Sequence, residues 1–342
     1  MGIILALLLF SFIVIVHELG HFLLAKKNGI KVSEFSLGMG PCIISKVVGE
    51  TKYSWKLLPL GGSCMMGEDE TDDLSEGSFN SKSVWARISV IAGGPIFNFI
   101  LAFIFSVILV MWIGYDAPVV GSLANGFPAQ EAGIKPGDTI LKMNQKSIDI
   151  WREVRIYNQF HQGETVNVVY ERDGKKYEKT IEPKKDENGQ YLLGVFGSGY
   201  EKKGFFTAIK YGIIEVKYWI CTTIESLKML LTGSIGVDQM SGPVGIVNFV
   251  GDTYETSKAD GVAVVVVNLI NIVILLSANL GVMNLLPIPA LDGGRLVFLI
   301  IEAIRKKRID PEKEGMVHFA GFVLLMALMV FILFNDIKRI VM

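Results

Sequence analysis

Residues 3–25 read Ile-Ile-Leu-Ala-Leu-Leu-Leu-Phe-Ser-Phe-Ile-Val-Ile-Val-His-Glu-Leu-Gly-His-Phe-Leu-Leu-Ala, an apolar run carrying three ionisable groups, His17, Glu18 and His21, near its end. About 20 helical residues cross a hydrocarbon core of about 30 Å, so this stretch is long enough to span a membrane. As a helix it sets His17 and His21 four residues apart on one face, with Glu18 turned about 100° from His17. Two imidazoles at that spacing offer two metal ligands, and the adjacent carboxylate offers a base for an attacking water. Each such group costs at least ~2.5–3.5 kcal/mol at membrane depth on insertion scales, which makes an intramembrane His, Glu and His a functional site by default.

Composition agrees with a chain divided between membrane and water. The 342 residues are 51% hydrophobic and 20% charged, with mean hydropathy +0.44, too apolar for a simple soluble protein and too charged for an all-membrane one. A net charge of −1 gives no electrostatic footprint for nucleic acid. Cys42, Cys64 and Cys221 are widely spaced, so neither a disulfide framework nor a thiolate metal knuckle is expected. The first segment is expected to be a span and not a cleavable signal peptide, because a basic lead and a small-residue cleavage site are missing.

Lys26, Lys27 and Lys31 follow the first span (1–25) and place its C-terminal end on the cytoplasmic side. Within the cytoplasmic loop 26–87, residues 31–66 read as a membrane-associated β-hairpin. Val32 to Gly40 forms one strand, Tyr53 to Gly62 the other, and Gly49-Glu50 the turn. Its edge either pairs with an extended peptide or belongs to a plain surface hairpin. The acidic stretch from Glu68 to Ser83 reads as a solvated loop. Trp85 and Arg87 mark an interface before a second span, 88–113, which contains Gly93-Gly94-Pro95-Ile96-Phe97-Asn98. There Gly-Gly permits close helix approach, Pro95 a kink and Asn98 a polar hook, set either for interhelical bonding or for substrate.

From about residue 114 to 200 the pattern becomes that of an extracytoplasmic αβ domain. Residues 201–260 follow as an interfacial amphipathic helix region, with Ser241-Gly242-Pro243-Val244-Gly245-Ile246 as a turn-forming break. A third span, 261–288, ends in Asn284-Leu285-Leu286-Pro287-Ile288-Pro289-Ala290-Leu291-Asp292-Gly293. Two prolines at that spacing cannot continue a regular helix, so the chain turns and Asp292 follows. A cytoplasmic loop, 289–314, carries Arg305-Lys306-Lys307-Arg308, and a fourth span covers 315–335. The expected fold class is thus a polytopic α-helical membrane protein with four transmembrane helices, the β-hairpin and one extracytoplasmic domain. Asp292 and His21 then share one side of the membrane.

Pro128-Ala129-x-x-Ala132-Gly133-Ile134-Lys135-Pro136-Gly137-Asp138-x-Ile140-Leu141-x-x-Asn144 resembles bacterial PDZ domains. The strand bounding a peptide groove would then be Leu192 to Gly197. With His17-Glu18-Leu19-Gly20-His21 in the first span and Asn284 to Gly293 ending the third, the whole chain resembles the site-2 proteases. These are intramembrane zinc metalloproteases of the RseP/RasP type, and the likeness is to the single-PDZ bacterial form. The resemblance implies Zn2+ as cofactor, Asp292 as third ligand beside His17 and His21, and Glu18 as catalytic base. It implies that Gly93-Gly94-Pro95-x-x-Asn98 and Ser241-Gly242-Pro243 are family features. It places substrate against the hairpin (Gly38, Gly40) and against Asn284, Pro287 and Pro289. It implies a multi-pass protein of the bacterial inner membrane, embedded in the lipid bilayer, with its active site near the cytoplasmic side. The expected partner is a transmembrane substrate protein already trimmed in its ectodomain, such as an anti-sigma factor or a signal-peptide remnant. Two other classes compete: a membrane zincin using Glu34 as third ligand, and a PDZ-bearing scaffold or chaperone with a non-catalytic site.

Overall fold

The computed structural model describes residues 2–67, 75–236 and 240–341. Much of the acidic stretch expected to be a solvated loop lies outside them. In chain order come α1 (Gly2–Lys27), β1 (Glu34–Val48), β2 (Thr51–Met65) and α2 (Val84–Ile113). There follow β3 (Tyr115–Asp116), β4 (Val120–Leu123), α3 (Pro128–Glu131), β5 (Thr139–Met143), β6 (Lys146–Ser147) and α4 (Trp151–Phe160). The strands β7 (Val166–Arg172), β8 (Lys175–Ile181), β9 (Lys184–Lys185), β10 (Tyr191–Leu192), β11 (Val195–Gly197) and β12 (Tyr200–Glu201) come next. Helices α5 (Phe205–Leu231), α6 (Pro243–Lys258), α7 (Val262–Leu285), α8 (Asp292–Arg305) and α9 (Pro311–Val341) complete the order. The contacts divide the chain into residues 1–105 with 219–342, and residues 106–218.

In the first unit, α1, α2, α7 and most of α9 are long and apolar enough to cross a membrane. The first two meet with backbones in contact: a Cβ on Gly20 would lie 2.3 Å from the Gly93 carbonyl oxygen, and one on Gly93 2.8 Å from that of Gly20. Such small-residue crossings allow the close van der Waals packing on which helix association in lipid depends. Helix α7 joins through Gly281, packed on Phe99, and through Ser277, whose hydroxyl donates to the Asn98 carbonyl at 2.8 Å.

The stretch expected to be a simple hairpin folds back on itself. Near its turn, Val48 pairs with Thr51 and Ile44 with Trp55. Residues 34–37 then lie between two parts of β2, pairing Phe35 with both Tyr53 and Cys64, and Ser36 with both Ser54 and Ser63. Gly38, Gly40 and Gly61, all at positive φ, allow the bends between these segments. The result is four paired segments instead of two strands, with 62–65 outermost beside 34–37.

Two further expectations are corrected. The break at Ser241 to Ile246 is the start of α6, with Pro243 at its first turn. This helix start is capped from a distance: Asp336 on α9, 2% exposed, accepts from the Gly242 N–H at 3.1 Å and the Gly245 N–H at 2.8 Å. Likewise, the stretch 289–314 is not only loop, because α8 fills residues 292–305. Both helices are amphipathic pieces whose apolar residues are fewer than a span needs, so hydropathy alone does not announce them.

The second unit is built on an antiparallel sheet of order β6-β5-β7-β8, packed through Ile140, Met143, Val168 and Tyr170 against Trp151 and Val154 of α4. Asp138, fully buried, accepts from the Lys135 N–H at 2.8 Å and from Arg172 Nε at 2.6 Å, which fixes the turn after Pro136-Gly137. A second buried ion cluster ties β3, α4 and α5 together. Arg152 donates to Asp116 through Nε and Nη2, each at 3.1 Å, and to Glu215. Burial pushes the Glu215 carboxyl up to about 7, against the pull of Arg152. A folded-state pKa above the unfolded one means the folded unit holds a proton that the open chain releases. Stability is therefore fully present below about pH 4.5 and lost as pH rises to about 7, by about 3 kcal/mol at most. Hydrogen exchange in 106–218 should accordingly report a lower opening free energy at pH 7.5 than at pH 5. Glu215→Gln should remove that difference.

Candidate metal centre

The crossing at Gly20 decides which side chains surround the two histidines. His21 Nδ1 stands 2.9 Å from the Val90 carbonyl on α2. A carbonyl only accepts, so Nδ1 carries the hydrogen and Nε2 the lone pair. His17 Nδ1 lies 3.1 Å from the side-chain amide of Asn98, whose Oδ1 has no hydrogen-bond partner among the described residues. Amide ends are assigned by the network around them. With Oδ1 turned toward His17, it accepts the Nδ1 hydrogen, and the His17 lone pair also falls on Nε2.

The third group arrives from the far end of the chain. Helix α7 stops at Leu285, and Pro287 and Pro289 carry the backbone through a tight turn into α8, whose first residue is Asp292. The turn is held on three sides. Gly293 and Gly294 sit where a Cβ would strike the carbonyl oxygens of Leu286 and Ile288. Pro289 fills the notch at Gly321 of α9. Ala290, at φ 77°, donates its N–H to His318 Nδ1 at 3.0 Å.

Asp292 Oδ2 thereby comes within 3.1 Å of His17 Nε2 and 3.5 Å of His21 Nε2, and the two imidazole nitrogens are 3.2 Å apart. These are the described His, Cys, Asp and Glu ligand atoms that converge as a group able to hold a metal. A tetrahedral zinc ion with bonds of about 2.0–2.1 Å sets its ligand atoms about 3.3 Å apart, and the three separations here bracket that figure. Asp292 Oδ2 is also buried without a hydrogen-bond partner among the described residues, and Gly94 leaves open the space at the nitrogens. A Cβ on Gly94 would lie 2.3 Å from His21 Nε2 and 2.6 Å from His17 Nε2. The donor set and its surroundings fit zinc, with one coordination position left over.

Glu18 faces the outer segment of the hairpin. Its carboxylate accepts from the Cys64 N–H, and a Cβ on Gly62 would sit 3.4 Å from its Cγ. The other sequence candidates are distributed differently. Asn284 reaches His17, its Nδ2 3.4 Å from Nε2. Pro287 and Pro289 shape the turn. Gly38 and Gly40 lie against Leu58 in the bend of the hairpin, both at positive φ. Glu34 takes a hydrogen bond from Ser54 and an ion pair with Lys56 at 3.6 Å, so it is no third ligand. The neighbours least visible in the sequence are Gly62 and Cys64. Only the repeated small residues of Gly61-Gly62-Ser63-Cys64 hinted at close approach there.

The model of peptidase family M50 matches residues 5–328. The chain belongs to that family. A putative zinc metalloprotease of Clostridium acetobutylicum is 38% identical, over 98% of this chain and 97% of its own. The regulator of sigma-W protease RasP of Bacillus subtilis is 34% identical, over 98% and 97%. The RasP alignment runs to 420 positions, so that protein carries segments with no counterpart here. A PDZ domain of an SdrC-like protein of Listeria innocua matches 26% of this chain and 100% of its own, at 26% identity and a TM-score of 0.22, too low to carry an argument. This M50 peptidase is an intramembrane zinc metalloprotease, with Zn2+ as its cofactor.

Because Gly94 sits against both Nε2 atoms, Gly94→Ala should reduce zinc per mole of purified protein at least tenfold while leaving helical circular dichroism intact. Zinc at the wild-type level would contradict the placement.

Proposed function

We propose that this peptidase cleaves peptide bonds inside membrane-spanning segments of other proteins, using His17, His21 and Asp292 as zinc ligands and Glu18 as general base. The observation that carries the proposal is the convergence of two imidazole Nε2 atoms and a buried Asp292 oxygen, without a hydrogen-bond partner among the described residues, at the spacing of a zinc tetrahedron's edges. Zinc, when bound, supplies Lewis acidity that makes water a nucleophile near neutral pH and polarises the scissile carbonyl.

The protein supplies the rest. His21, held by the Val90 carbonyl, and His17, held by Asn98, keep their Nε2 lone pairs turned inward. Glu18 takes the proton of the attacking water and returns it to the leaving amine. The Cys64 N–H keeps that carboxylate aimed and confines it to one face of the site. A substrate helix shields its own peptide bonds and must be unwound before attack. Once unwound in lipid, its backbone groups need new partners. The segment 62–65 pairs on one side with 34–37 and lies against Glu18, which supports an extended substrate adding alongside it. Asn284, at the mouth of the cluster, is positioned to hold that backbone near His17.

For orientation, the lysines after α1 and the basic residues after α8 support a cytoplasmic site, with 106–218 on the opposite side. In that domain a cavity of about 750 Å³ runs between α4 and the strands β10 and β11, lined by Trp151, Val154, Arg155, Leu192 and Phe196. Its place beside the strand expected to bound a PDZ groove supports a PDZ-type domain. Such a domain would exclude substrates with bulky ectodomains and so make prior trimming a condition for cleavage. Substrates of the kind named for RasP, regulators of a sigma factor, fit this order of events.

In detergent or vesicles with a reporter transmembrane peptide, Glu18→Gln should abolish cleavage, by 10³-fold or more, while zinc content stays at the wild-type level. Retained turnover would remove Glu18 as the base. Asp292→Ala should lower zinc content itself, and unchanged metal would remove Asp292 from the ligand set.

A further inference from the structure

At the start of α2, one turn before the Val90 carbonyl that holds His21, lies a cavity of about 500 Å³ lined by Lys82, Trp85, Arg87, Glu302, Lys306 and Arg308. Four cations and one carboxylate leave it strongly positive. The carboxylate is already engaged, since Glu302 pairs with Arg87 and stands 3.9 Å from Arg308 Nε. Lys82 and Lys306 have no ion-pair partner among the described residues. Arg87 is only 5% exposed, and its Nε, buried, has no hydrogen-bond partner among the described residues. A buried guanidinium with a spare N–H at the wall of a cationic cavity calls for an anion.

The surroundings say which kind of anion. The cavity opens where the apolar span of α2 begins. Trp85, at its edge, is 70% exposed, and Val84 and Ala303 add apolar wall beside it. A free phosphate or nucleotide has no use for such apolar flanks, whereas acyl chains do. Tryptophan at a span's end marks the headgroup level, and basic pockets between membrane helices are suited to anionic lipid headgroups.

We propose that this cavity binds the phosphodiester headgroup of an anionic phospholipid, with Arg87, Lys82 and Lys306 on the phosphate and the acyl chains along Trp85 and the apolar start of α2. The lipid would bridge the first turn of α2 and the last turn of α8. The proposal rests on the membrane placement of α2 and not on the zinc ligands, so the two can fail separately.

Native mass spectrometry of the full chain, delipidated in neutral detergent and titrated with dioleoyl phosphatidylglycerol or dioleoyl phosphatidylcholine, tests it. The wild type should retain phosphatidylglycerol in preference, and millimolar inorganic phosphate should not displace it. Each basic residue at an anionic lipid surface is worth a factor of about five. Lys82→Gln with Lys306→Gln should therefore weaken phosphatidylglycerol binding roughly 30-fold and leave phosphatidylcholine unchanged. Should the double variant not fold, Lys306→Ala, at an exposed position, should still cost about fivefold. Equal retention of the two lipids, displacement by inorganic phosphate, or variants that bind phosphatidylglycerol as well as the wild type would each overturn the proposal.

Discussion

The backbone-to-backbone contact of Gly20 with Gly93 is the constraint from which the rest of the metal centre follows. Only where α1 and α2 touch without side chains between them can the Val90 carbonyl and the Asn98 amide reach the outer nitrogens of His21 and His17. The adjacent Gly94 extends the same gap over the inner nitrogens. A methyl group at any of these three positions would have to gain up to about 1 Å of clearance from its neighbours. The glycines of the first and second spans thus act as one device, although 73 residues separate Gly20 from Gly93.

A second constraint completes the site from the opposite direction. Asp292 belongs to a helix of its own, and its position depends on a turn in which helical continuation is blocked by Pro287 and Pro289. The turn is fitted to α9 through Gly321 and His318. A half-buried carboxylate at the start of an amphipathic helix is more rigid than one in a loop. That suits a ligand that must hold its place while a substrate is drawn in beside it. The clamp between Asp336 and the first turn of α6 anchors the other end of α9, so the helix that braces the Asp292 turn is held at both ends.

The spans and the ligand candidates were legible because their signals are local or physically extreme. Long apolar runs need only hydropathy, and ionisable groups inside such runs are costly enough to stand out. Asp292 was named as a ligand only through the likeness to the site-2 proteases; by itself, the proline-broken span says no more than that Asp292 is expected on the same side of the membrane as His21. What stayed hidden depended on pairings between distant segments. Nothing in the alternation of residues 31–66 says that 34–37 would pair on both sides, or that Gly62 and Cys64, and not Gly38 and Gly40, would face Glu18. Helices α6 and α8 were masked for a different reason. The first begins at a Gly-Pro that reads as a breaker, and the second lies between prolines and a basic run that read as a loop. In both cases the residues that start a helix are also those that end one.

The central claim is that one zinc ion is held between α1 and α8 by two imidazoles and one carboxylate. Zinc K-edge X-ray absorption on the purified, metal-loaded protein tests it most directly. The account predicts a shell of nitrogen and oxygen at about 2.0–2.1 Å with the outer-shell scattering of two imidazoles and no sulfur. A sulfur contribution at about 2.3 Å, which would bring Cys64 into the shell, or scattering from a single imidazole, would contradict it.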